Sequence, residues 1–206
     1  MTAPDIQHIL EQAGVTVGAI TGVLAAKGKQ IDLFGVLVLA FAAAFGGGTV
    51  RDLLVGDTPV AWLRGPALMM NAVISALATF LTARFICMPQ GLLQIADAIS
   101  LAFFAMLGVD KGIAFGMSPP VCVLLGVITG SAGGVLRDVL LNEVPNVLRR
   151  GIHLYATAAT AGGIVNVLLQ PAGNLIAAGA GFVTVLGLRL AAMKWKLSLP
   201  VFEMKE

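Results

Sequence analysis

Two arginine-aspartate pairs, Arg51-Asp52 and Arg137-Asp138, lie inside long runs of apolar residues, and each follows a cluster of glycines. Charge in such a run costs a few kcal/mol per group unless it meets a partner or a wet cavity. A chain that carries it twice must gather helices around it. The two surroundings are copies of one another. FGGGTVRDLLVGDTPVAWLRG, from Phe45 to Gly65, aligns without gaps at an offset of 86 with SAGGVLRDVLLNEVPNVLRRG, from Ser131 to Gly151.

The apolar runs read as membrane spans. Of 206 residues, 58% are hydrophobic and 12% charged, which is too apolar for a soluble domain of this length. A helix needs about 20 such residues to cross roughly 30 Å of hydrocarbon. Seven segments qualify: Ile9 to Ala26, Leu33 to Leu54, Pro66 to Ile86, Leu92 to Val109, Pro119 to Leu141, His153 to Leu169 and Asn174 to Met193. Short polar separators leave no room for a soluble domain, so residues 1–206 form one transmembrane domain. The first 14 residues carry Asp5 and Glu11 but no Lys or Arg, so no signal peptide is expected. Counting basic residues side by side places Arg64 and Lys111 outside. Lys27, Lys29, Arg84, Arg149, Arg150, Lys194, Lys196 and Lys205 fall inside, which predicts an outer N-terminus and a cytoplasmic C-terminus.

The offset of 86 extends beyond the glycine stretches, pairing Gly22 with Gly108, Ala19 with Ala105, Leu68 with Leu154 and Glu11 with Asp97. Residues 1–86 and 87–172 are therefore two three-helix repeats. An odd helix number turns the second upside down, giving an inverted repeat, and residues 173–206 add a seventh helix and a tail.

Adjacent glycines at Gly46, Gly47 and Gly48, and at Gly133 and Gly134, favour an interrupted helix lining a path. Small residues at a close helix contact are the other reading. Neighbouring helical residues diverge by about 100°, so the expectation is crossed pairing, Arg51 with Asp138 and Arg137 with Asp52, across the repeat interface. These four charges either clamp the repeats or line the path. Glu11 and Asp97 are candidate mouth carboxylates. Asp57, Glu143, Asp110 and Lys111 read as solvated loop residues, and His153 and Tyr155 as interfacial anchors. Thr49, Thr129 and Ser131, with carbonyls freed at the glycines, offer the weak multi-site contacts that conduction requires.

No nucleophile triad, phosphate loop or metal-ligand spacing is present, and Cys87 and Cys122 have no partner at such spacing. An enzyme is not expected, nor is a catalytic or metal site. A net charge of +2 gives no reason to expect nucleic acid as a partner.

At GGGTVRDLLVGDTPVAWL and GGVLRDVLLNEVPNVLRRGIHLYATA the sequence resembles the prokaryotic branch of the TRIC family, the trimeric intracellular cation channels, over nearly its whole length. The resemblance implies a homotrimer in a prokaryotic inner (plasma) membrane, each subunit holding its own pore for potassium and sodium. It implies second and fifth helices bent at Gly46, Gly47, Gly48, Gly133 and Gly134, and no cofactor beyond the transported cations and bound lipid. Ala132 stands where the pattern has a further glycine, and Thr49-Val50-Arg51 stands where animal members have Lys-Glu-Val. The same prokaryotic group also carries a glycine-transporter label, so a secondary carrier of a small solute such as glycine is the alternative.

Overall fold

Every long element of the computed structural model, which describes residues 3–89, 91–149 and 154–197, is an α-helix. In order they are α1 (Ala3–Ala25), α2 (Leu33–Val55), α3 (Pro66–Phe85), α4 (Leu92–Ala114), α5 (Pro119–Leu140), α6 (Tyr155–Leu169) and α7 (Asn174–Trp195). Short 3-10 turns lie at Ala61–Leu63 and Gln170–Ala172. Local chemistry fixes the ends. The Asp32 carboxylate accepts the Gly35 N–H at 2.8 Å to cap α2, and Pro66 and Pro119 occupy first turns where their missing N–H is harmless. Gly56, at φ 72°, closes α2 in the left-handed conformation and donates its N–H to the Asp52 and Leu53 carbonyls.

The expected fourth span ends elsewhere, and the sixth is the shortest of the seven. The fourth helix continues past Val109 to Ala114, so Asp110 and Lys111 are helical and not loop residues. Both have partners that keep the helix wound: Asn166 Nδ2 donates to Asp110 Oδ1 at 3.0 Å, and Lys111 bonds Asp57. The sixth helix has 15 residues, about 22 Å long, while six other helices are long and apolar enough to cross a membrane. It can be short because Ala158, Ala159, Gly162, Gly163 and Asn166 are buried against other helices rather than lipid. His153, Arg150 and Lys205 lie outside the described residues.

The centre of the bundle is α1, α2, α4 and α5. Helix α3 covers α1, and α6 and α7 pack together over α4 and α5. Met70, Ile74, Leu81 and Phe85 of α3 face outward, as a lipid-exposed surface would.

Helices α2 and α5 run antiparallel and meet at glycine. A Cβ placed on Gly47 would lie 2.0 Å from the Thr129 carbonyl oxygen, and one on Gly133 would lie 2.4 Å from that of Ala43. Residues 47 and 133, and 43 and 129, are related by the same offset of 86, so the contact is reciprocal. Both helices are continuous through Gly46–Gly48 and Gly133–Gly134, which corrects the expected break. Opening the ladder at membrane depth would strand backbone groups, whereas a helical glycine costs only about 1 kcal/mol against alanine. The glycines bring backbones together instead.

Substitution should separate the two kinds of glycine. Gly47→Ala and Gly133→Ala force α2 from α5 and should each cost about 1–3 kcal/mol, read as a lower melting temperature of the solubilised protein. Gly48→Ala meets only the Arg51 guanidinium, at 3.9 Å, and should leave the melt unchanged or raised.

Candidate functional site

The charged motifs sit near the C-terminal ends of α2 and α5, and Arg137, in the last turn of α5, complements the carbonyl end of its helix. All four side chains are buried. Arg51 Nε donates to Asp52 Oδ1 at 2.9 Å, with Nη2 2.8 Å from the same oxygen. Arg137 repeats this on Asp138 Oδ1 at 2.9 and 2.8 Å. The second carboxylate oxygen is also used twice alike. Asp52 Oδ2 accepts the Ala61 N–H and Asp138 Oδ2 the Asn146 N–H, each at 2.9 Å. Each aspartate therefore joins its arginine to the loop that follows.

The crossed pairing of Arg51 with Asp138 and Arg137 with Asp52 is thus corrected. Because α2 and α5 are antiparallel and cross near Gly47 and Gly133, Arg51 and Arg137 point toward opposite ends. At 1.5 Å per residue the two motifs are separated along the axis by roughly 18 Å. A long guanidinium swings back to its neighbour more readily than it spans that gap.

Charges do cross between the halves, but at the loops. Asp57, after α2, bonds Lys111 of α4 as well as Arg64. Glu143, after α5, bonds Lys29 from the connection after α1 at 2.5 Å, and Arg149 at 3.1 Å. These residues are not simply solvated, as composition suggested. Lys111, then Arg64, hold the Asp57 carboxyl below the usual carboxylate range. Lys29 first, with Arg149, does the same for Glu143 against a smaller opposing effect of burial.

The two ends differ in their helix-one carboxylates. Asp97 of α4 is buried, not a free mouth group, and accepts Arg137 Nη1 at 3.1 Å through Oδ1. Its Oδ2 is buried without a hydrogen-bond partner among the described residues. Glu11 of α1 shares a cavity of about 30 Å³ with Arg51, Asp52 and Trp62, yet makes no ion pair among the described residues. Tyr155 is buried rather than interfacial, and Arg189 of α7 lies over its ring, the guanidinium carbon 4.8 Å from the centroid. Sequence reading missed Arg189, although a lone arginine in an apolar span is itself a signal of a buried polar contact.

Thr49 Oγ1 accepts the Trp62 indole N–H at 3.0 Å. Thr129 and Ser131 donate back into their own helix, to the Leu125 and Val127 carbonyls, both at 2.6 Å. Thr21, Asp97, Ser100, Thr129, Arg137 and Tyr155 line a second cavity beside the seam, of about 10 Å³, the room of one water. The structure thus brings Gly133, Gly134, Asp97 and Arg137 to one polar cavity and Glu11, Gly48, Arg51 and Asp52 to another, mostly apolar one.

Comparison with known proteins agrees with the duplication. A family profile described as glycine transporter matches twice, over residues 8–84 and 94–171. The UPF0126 inner membrane protein YadS of Escherichia coli (strain K12) is 40% identical over 201 residues, covering 96% of each chain. A UPF0126 membrane protein of Vibrio cholerae is 39% identical over 204 residues, covering 96% of this chain and 83% of the relative. Among solved structures, the TRIC trimeric intracellular cation channel orthologue from Rhodobacter sphaeroides superposes with a TM-score of 0.86 at 35% identity, over 93% of this chain and 99% of that one. A prokaryotic TRIC channel crystallised in 0.5 M KCl gives 0.86 at 29% identity, over 94% and 98%.

The loop pairs make a pH prediction. A carboxyl whose pKa is lowered by folding contributes stability above its ordinary pKa and loses it as pH falls through the lowered one. Amide exchange in residues 56–65 and 142–149, corrected for intrinsic rate, should be flat through neutral and weakly acidic pH. It should accelerate only below the ordinary values of 3.8 for Asp57 and 4.5 for Glu143.

Proposed function

The chain belongs to the TRIC family of trimeric intracellular cation channels, and on that footing we propose that it is a passive channel for monovalent cations, potassium and sodium. The observation that carries the reading is likeness to solved cation channels across nearly the whole chain at up to 36% identity. In this proposal the protein is a homotrimer in a prokaryotic inner membrane, with the N-terminus outside and the C-terminus cytoplasmic. Each subunit conducts between an inverted pair of repeats, residues 1–86 and 87–172, with residues 173–206 packed alongside.

The geometry supports a path along α2 and α5, drawn here in a closed form. The reciprocal seam and the matching Arg-Asp-loop pattern at either end are what an inverted repeat would produce. A polar cavity of about 10 Å³ and a mostly apolar one of about 30 Å³ flank the seam, and neither admits a hydrated ion. Opening then requires α2 and α5 to move apart while each arginine keeps its own aspartate. Thr21 and Thr129 hydroxyl oxygens and Asp97 are the groups placed to meet a dehydrated cation, through several weak contacts rather than one tight site.

A carrier for a small solute is the second reading, favoured by the description of the matching profile. Such a carrier needs a pocket for its substrate, and the two cavities beside the seam are smaller than that.

Purified protein in a planar bilayer separates the readings. Channel function should give unitary currents whose reversal potential follows the cation gradient in KCl and NaCl. Saturable glycine counterflow in vesicles, without unitary currents, would overturn it.

A further inference from the structure

Away from the seam, where α1 and α3 end and α2 begins, the protein has a cleft of about 550 Å³, far larger than either central cavity. Its walls are apolar, with Val23, Val36 and Phe80 among them, while Lys27, Lys29 and Arg84 all line it and no carboxylate does. All three basic residues are exposed. Lys27 Nζ donates to the Met88 carbonyl at 2.9 Å, and Lys29 reaches away to Glu143. Arg84, in the last turn of α3, has no ion pair among the described residues.

We propose that this cleft binds an anionic phospholipid, its phosphate held by Arg84 and Lys27 and one acyl chain laid against Val23, Val36 and Phe80. Charge complementarity selects this occupant. Lys27 and Arg84, which have no ion pair among the described residues, repel one another at an apolar cleft until an anion joins them, and basic pockets between membrane helices take anionic headgroups. A zwitterionic lipid brings its own cation and leaves that repulsion in place. The volume lies within the range of ligand sites, large enough for part of an acyl chain. The cleft also sits on the side where the basic residues concentrate, which would face the anionic inner leaflet. Lys29 links the site to the rest of the bundle, because a phosphate that draws its ammonium competes with Glu143. The inference rests on the cleft alone and stands whether or not the protein conducts.

Native mass spectrometry of the solubilised full-length protein tests it, with titration by dioleoyl phosphatidylglycerol and, separately, dioleoyl phosphatidylcholine. Phosphatidylglycerol should bind about tenfold more tightly, at roughly a few-fold per basic residue engaged. The double variant Lys27→Gln with Arg84→Gln should lose that preference, while Lys194→Gln, at the far end of α7, should keep it. Ala83→Trp, which fills the cleft without touching the charges, should weaken both lipids, and Arg84→Lys should retain most of the preference. Equal binding of the two lipids to the unmodified protein would overturn the proposal, as would a preference that survives in the double variant or phosphatidylglycerol binding that Ala83→Trp leaves undiminished. Displacement of phosphatidylglycerol by inorganic phosphate would also overturn it, since the site would then hold a free anion.

Discussion

Each half of this bundle is organised by a buried guanidinium closed on the carboxylate that follows it in sequence. Neither charge can stay alone in hydrocarbon, and removing either partner leaves the other uncompensated, at a cost of about 3–5 kcal/mol. The pairing settles more than the charge. With one aspartate oxygen committed to arginine and the other to a loop amide, Asp52 and Asp138 hold the chain where it leaves α2 and α5. The loops so held carry Asp57 and Glu143 to lysines of the opposite half. Charge is neutralised within each half near the ends of the seam, and among the described residues the halves are joined by ion pairs only at their edges.

Between those ends the contact is backbone against backbone. Gly47 on Thr129 and Gly133 on Ala43 bring α2 and α5 closer than any side chain would permit. Small-residue packing of this kind suits helices in lipid, where apolar side chains gain little by leaving one apolar medium for another. It also suits a contact that must separate, because few interlocked side chains have to be withdrawn. The halves are not identical. Asp97 closes on Arg137 where Glu11 leaves Arg51 alone, and α7 adds Arg189 over Tyr155 at that same end. The seventh helix, which has no counterpart in the duplication, thus adds to the electrostatic difference that Asp97 and Glu11 already make between the two ends of the seam.

Much of this was legible in the chain. Apolar runs between short polar separators, with Pro66 and Pro119 opening two of them, placed most helix ends to within a few residues, because such signals are local. The duplication and the four buried charges were equally visible. Three things were not. Asp110 and Lys111 looked like a loop because polarity alone cannot show that Asn166 and Asp57 await them from elsewhere in the fold. The glycines looked like a break because their role depends on what lies opposite, and only the packed structure puts Thr129 and Ala43 there. The partners of Arg51 and Arg137 were misassigned because α2 and α5 cross antiparallel. Such a crossing sends equivalent residues to opposite ends, so equivalent charges meet only if they lie at the crossing itself.

A double-mutant cycle on the stability of the solubilised protein bears most directly on this pattern of pairing. Arg51→Ala and Asp52→Ala should be strongly non-additive, with the second change costing little once the first is made. Arg51→Ala and Asp138→Ala should add to within about 0.5 kcal/mol, as expected of sites well beyond 10 Å apart. Additivity for the neighbours together with coupling between Arg51 and Asp138 would contradict it, and would mean that the charges bridge the two halves after all.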